Sequence, residues 1–114
     1  MAVRKITRMG NPILRKKARN LTPEEIGSPE IEKLIQDMKD TMAHEGGIGI
    51  AAPQVGEPLK LTLIELQVDN ERYPNMPQHA LEVYINPEIT ILDQSPQTFW
   101  EGCLSLPGMR GEVT

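Results

Sequence analysis

With 114 residues, 39% of them hydrophobic and 25% charged, the chain is sized for one domain around one aliphatic core. Its net charge of −4 comes with no dominant basic stripe, which argues against a nucleic-acid binder, and no apolar run approaches the ~20 residues of a membrane span. The single cysteine excludes an intrachain disulfide and suits a reducing, cytoplasmic setting, while the opening Met-Ala-Val-Arg-Lys-Ile lacks the apolar stretch of a secretory signal.

Taken in chain order, the first charged group is Arg15, Lys16, Lys17 and Arg19, which reads as a solvated face. Thr22-Pro23-Glu24-Glu25 carries a capping residue, a proline and a returning glutamate, but little apolar periodicity follows, so it predicts one turn of helix. Ser28-Pro29-Glu30 repeats the signal ahead of a true stripe. Ile31, Leu34, Ile35, Met38 and Met42 recur every three or four residues, which predicts a helix over 29–44 with one buried face. Gly46-Gly47 ends it, because glycine enters the left-handed region at little cost.

Past the glycines the period changes to two. Leu59, Leu61 and Leu63 alternate before Ile64, predicting a half-buried strand, and 81–85 and 88–92 read as two more, separated by Asn86-Pro87. The proline-containing segment 69–79 reads as a loop between strands. A last strand is expected over 99–104, closed by Pro107-Gly108. One helix followed by antiparallel strands predicts an α+β domain. No capping signal, polar tail or turn marks the final residues 110–114, so 1–114 reads as a single, incomplete domain.

Two stretches carry chemistry. "GGIGIAAPQVG" over 46–56 fits a relaxed dinucleotide fingerprint, yet a helix precedes it and Pro53 follows, the reverse of what phosphate binding requires. Glycines placed where backbone passes close to another segment, or to a substrate, account for it better, and Gln54 supplies an amide donor for a developing oxyanion. "EGCLSLPG" over 101–108 holds Cys103. That thiol could be a small buried hydrophobe, a nucleophile served by His44 or His79, or a metal ligand beside them. Neither histidine belongs to an H-E-x-x-H pair, and spacing alone leaves these alternatives open.

Considered together, the two stretches change the balance. Gly47 to Gln54 matches glycine-hydrophobic-glycine-hydrophobic-Ala-Ala-x-Gln, and Glu101 to Ser105 matches Glu-Gly-Cys-hydrophobic-Ser. In this order, behind "NPILRKKA" and the helix, they make the chain resemble the N-terminal two-thirds of a peptide deformylase. The resemblance implies a metal-dependent hydrolase that removes the formyl group from N-formylmethionyl nascent peptides, working in the cytoplasm with the ribosome as a partner. It implies Cys103 as a thiolate ligand of one divalent ion, iron in the family, with nickel, cobalt or zinc as substitutes. It implies the Gln54 side chain and the Leu104 backbone N–H as donors to the oxyanion. Ile48, Gly49 and Gly102 would line the peptide cleft, with Glu101 as an orienting residue and Arg110 as its anchor or the loop's. The family's third motif, His-Glu-x-x-Asp-His or a close variant on a helix, is absent from these residues and would fall beyond Thr114. The expectation is therefore half a site, inactive alone, with apolar faces near 59–66 and 81–92 lacking their helical partner.

Overall fold

The computed structural model describes residues 2–67 and 75–114. Helix α1, Pro29–His44, occupies the predicted span, and Ser28 caps it by accepting a bond from the Ile31 N–H. Ile31, Leu34, Met38 and Met42 are buried along one stripe, and Ile35 packs at its margin. The end of α1 is a Schellman motif. Gly46, at φ +70°, donates to the Ala43 carbonyl, and Gly47 donates to Met42. The chain therefore leaves the helix at a defined angle rather than fraying.

It passes at once into strand β1, Gly49–Ala51, which the sequence reading treated as loop. A 3₁₀ turn over Ala52–Val55 follows, closed by Gly56 at φ +89°. Strand β2, Leu61–Leu66, pairs antiparallel with β1 on one side and with β3, His79–Ile85, on the other. A register shift between Ile64 and Leu66 resets the alternation, so Leu61, Leu63 and Leu66 all face inward. The core is this leucine face, with Leu59 and Ile50, against the methionines and leucine of α1; Met38 and Leu63 are 0% exposed. Of the apolar faces expected to lack a partner near 59–66 and 81–92, the leucine face of β2 is covered by the chain's own helix, whereas Ile64 on its other face and Val83, Ile91 and Leu92 are exposed.

A second, separate sheet is the hairpin of β4, Phe99–Gly102, and β5, Arg110–Val113. The strand expected over 99–104 is shorter because the chain turns at Cys103, whose carbonyl accepts from the Leu106 N–H at 2.9 Å. A further turn over Leu106–Met109 places Pro107 and then Gly108, at φ +75°, where a type II turn needs them. The strand expected over 88–92 does not form. Its residues find no ladder partner among the described residues, and Ile89 and Leu92 are 93% and 94% exposed. Of the loop expected over 69–79, residues 69–74 lie outside the described residues, and His79 already begins β3. The helical turn expected at Thr22 is a hydrogen-bonded turn, with the reciprocal Thr22 and Glu25 bonds of a capping box.

Two polar clamps hold the periphery to this core. Asn86, at φ +51°, ends β3 and grips Leu21 twice, accepting from its N–H at 2.8 Å and donating to its carbonyl at 3.0 Å. Asp37 sits on the buried face of α1 at 1% exposure and accepts from Lys33, from Arg4 at 3.0 Å and from the Ala2 N–H at 3.0 Å. Thr41, one turn on, accepts from the Arg4 N–H at 2.8 Å. The N-terminal segment is thereby strapped across the helix.

The Lys33 ammonium first, then the Arg4 guanidinium and the Ala2 amide, hold the Asp37 carboxyl down to about 2 against the opposing effect of burial. Its folded value lies below its ordinary one, so its stabilisation is complete above about pH 4 and is lost as pH falls toward 2. Urea midpoints measured across that window should fall for the native chain and fall less for Asp37→Asn. At neutral pH that variant should lose about 1–3 kcal/mol, since Arg4 and Lys33 can rehydrate when the carboxylate goes. Parallel pH profiles for the two proteins would contradict this role.

Candidate active site

The site is built where the two sheets meet. Gly47, the last residue of the helix stop, lies against the side chain of Leu104. A Cβ built on Gly47 would stand 2.9 Å from Leu104 Cδ1, closer than packed carbons approach. Gly49 differs, since a Cβ there would meet only the Leu63 carbonyl at an ordinary 3.7 Å. Of the two glycines, only Gly47 stands at a close approach, and what it meets is the end of the Leu104 side chain.

Between these segments runs a cleft of ≈ 280 Å³ lined by Gly47, Ile48, Gly49, Gln54, Glu101, Gly102, Cys103 and Leu104. All seven residues singled out from the sequence line it, together with Gly47. One wall comes from β1 and the 3₁₀ turn, the other from the end of β4 and the turn after it. Gly102 faces Arg110 in the hairpin register, and a Cβ built on Gly102 would meet the Arg110 side chain at an ordinary 3.8 Å.

Gln54 is the most closely held side chain of the cleft. Its backbone carbonyl accepts from the Thr7 N–H at 2.8 Å, and Thr7 Oγ1 donates to the neighbouring Pro53 carbonyl at 2.7 Å. Its Oε1 accepts from the Ala51 N–H at 2.9 Å. That bond turns the amide nitrogen toward the other wall, where Nε2 lies 3.7 Å from Cys103 Sγ and 3.3 Å from Ser105 Oγ. Ser105 is buried, and its carbonyl accepts from the Met9 N–H at 2.9 Å. The sequence reading included Ser105 in a motif without giving it a task.

Cys103 is half-buried rather than packed away. Besides the cleft it borders a hollow of ≈ 440 Å³ toward Asn11, Arg15 and Ser105, and another of ≈ 300 Å³ toward Met109 and Arg110. Such surroundings differ from those of an inert core thiol, which is enclosed by carbon. His44 and His79 do not join it. Each is exposed beside a local carboxylate, His44 with Glu45 at 3.5 Å and His79 with Glu82 at 3.3 Å, and neither lines the cleft.

A zinc-like or iron-like ion takes about four donors, with histidine, cysteine and carboxylate the usual ones. Among the described residues no group of three or more such side chains could hold one. Cys103 is a single soft donor, so the described residues do not by themselves fit a resident metal.

Comparison with known proteins adds three findings. The family described as Polypeptide deformylase matches residues 3–114. Among curated relatives, the Peptide deformylase of Leptospira biflexa serovar Patoc (strain Patoc 1 / Ames) is 50% identical over 113 residues, covering 99% of this chain and 63% of its own length. Peptide deformylase 1 of Nitrosomonas europaea is 42% identical over 111 residues, covering 97% and 61%. The chain thus spans a little under two thirds of the curated relatives it matches. Among solved structures, the Met-Ala-Ser-bound class I type b peptide deformylase of Acinetobacter baumannii superposes with a TM-score of 0.91 at 34% identity, covering 98% of this chain and 70% of that one. The peptide deformylase of Thermotoga maritima gives 0.80 at 33% identity, covering 99% and 67%.

The packing at Gly47 yields a direct contrast. Gly47→Ala should destabilise the chain by up to about 1 kcal/mol, because the end of the Leu104 side chain must rotate out of the new methyl's way. Gly49→Ala should be neutral or slightly stabilising, since a Cβ there meets the Leu63 carbonyl only at an ordinary 3.7 Å. Equal urea midpoints for the two variants would remove Gly47 from the junction.

Proposed function

Because this chain belongs to the polypeptide deformylase family, we propose that it carries the two facing walls and the amide donors of a site that removes the formyl group from N-formylmethionyl nascent peptides. The observation that carries this reading is the cleft itself. Gln54 and Cys103 come from motifs far apart in sequence, and they face each other across it at 3.7 Å.

In this reading the formyl-methionyl end of the peptide lies along Ile48, Gly49 and Gly102, with backbone groups offered to it as an added strand would use them. Glu101, exposed at the rim, orients the bound peptide or the neighbouring turn. The Gln54 Nε2–H and the Leu104 N–H donate to the formyl oxygen as it gains negative charge. Such donors act strongly because they are aimed before the reaction begins. Cys103 would be one ligand of a divalent ion, iron or else nickel, cobalt or zinc, with its other ligands outside the described residues. When bound, that ion would supply polarisation of the carbonyl and acidification of water. The cytoplasm and the vicinity of the ribosome, where formylated chains emerge, are the setting this substrate implies.

A second reading is a folded fragment that is catalytically silent. It is favoured by the lack of a multi-residue metal cluster among the described residues. Two measurements separate the readings. The 114-residue chain alone should show no turnover of formyl-Met peptides above its Cys103→Ala control. Joined to the part of the Leptospira biflexa relative that it does not match, it should deformylate. Gln54→Ala should then lower kcat by about 10²–10³. A joined enzyme that is folded but silent would sink the first reading.

A further inference from the structure

Ser105 is 5% exposed, yet its two oxygens are both in use. The carbonyl accepts from Met9 and fixes the turn to the N-terminal segment. The hydroxyl accepts from Gln54 Nε2 at 3.3 Å. A primary amide is planar, with one acceptor end and two N–H donors in fixed directions. The Ala51 N–H, at 2.9 Å, already fixes the acceptor end of Gln54. Once Ser105 takes one N–H, the direction of the other is no longer adjustable. It falls toward Cys103 Sγ, 3.7 Å from the nitrogen, at the floor of the cleft.

We propose that Ser105 is a positioning residue for Gln54, its hydroxyl engaging one amide N–H so that the second is aimed at the substrate oxygen beside Cys103. The inference rests on the reading of Gln54 given above and names what aims it. The hollow of ≈ 440 Å³ behind the pair, bordered by Gln54 and Ser105 together, sharpens the point. Without the hydroxyl, the freed N–H faces that space, where water is a mobile acceptor and fixes no direction. Backbone position is not at stake, since the Met9–Ser105 and Thr7–Gln54 bonds use main-chain atoms that any substitution keeps.

The test is nuclear magnetic resonance on the ¹⁵N-labelled 114-residue chain, following proton exchange with water at the Gln54 side-chain amide. In the native chain this amide should exchange several-fold more slowly than that of the exposed Gln78. Ser105→Ala should speed exchange about threefold to tenfold, the range a lost net hydrogen bond allows. Ser105→Thr, which keeps an Oγ, should restore it, and the Met9 and Thr7 amides should stay unchanged throughout. Native Gln54 exchange as fast as that of Gln78 would overturn the proposal before any variant is made. So would an unaltered Gln54 in folded Ser105→Ala, or Met9 loosening alongside it in both variants. None of these readouts uses turnover, so a silent joined enzyme would remove the functional reading and leave the Ser105 result standing or falling by itself.

Discussion

Two sheets that, among the described residues, share no ladder hydrogen bond are brought together at the cleft that holds the candidate site. The three-stranded sheet with α1 is a self-sufficient layer, its leucines covered by helix. The β4–β5 hairpin is small, and Phe99 and Trp100 are exposed on it. What attaches it is short-range and local. Leu104 rests on Gly47, the Gln54 amide reaches Ser105 and Cys103, and Met9 holds the Ser105 carbonyl. These contacts are both the junction of the fold and the walls of the cleft. Packing density at Gly47 and amide direction at Gln54 are therefore one constraint.

The N-terminal segment is what keeps that junction in register with the helix. From Ala2 to Met9 it touches Asp37 and Thr41 on α1, then Glu57, Pro53 and Gln54 at the 3₁₀ turn, and finally Ser105 on the hairpin side. Most of these bonds involve main-chain atoms of the segment, so they depend on its path more than on its side chains. Thr7 and Arg4 are the exceptions, the Thr7 hydroxyl donating to the Pro53 carbonyl and Arg4 reaching a carboxylate that is itself nearly inaccessible. A single extended strap thus transmits the position of the helix to the far wall of the cleft.

Much of this was legible locally. The caps of α1, the inward leucines of β2 and the turn residues after Cys103 each have a short-range physical cause, and each appeared where that cause placed it. Strand β1 was not legible, because the three residues Gly49-Ile50-Ala51 are too few to show a period and exist as strand only through β2. The segment 88–92 failed for the opposite reason. Its apolar residues suggested a strand, but pairing needs a neighbour that the pattern does not name. The seven cleft residues became visible together through the resemblance of two motifs, since neither spacing nor periodicity brings Gln54 to Cys103. Ser105 stayed hidden for a related reason. A serine in a turn is ordinary until the amide across from it is seen.

Cys103 is the chain's one sulfhydryl, and it opens onto three adjoining hollows. Any thiol-selective reagent that modifies this protein therefore does so at the junction of the two sheets and nowhere else. Nature has left the molecule with a single chemical address. A fluorophore, a spin label or an isotope-edited cyanylation placed there would report directly on the gap between the walls, without a second site to subtract.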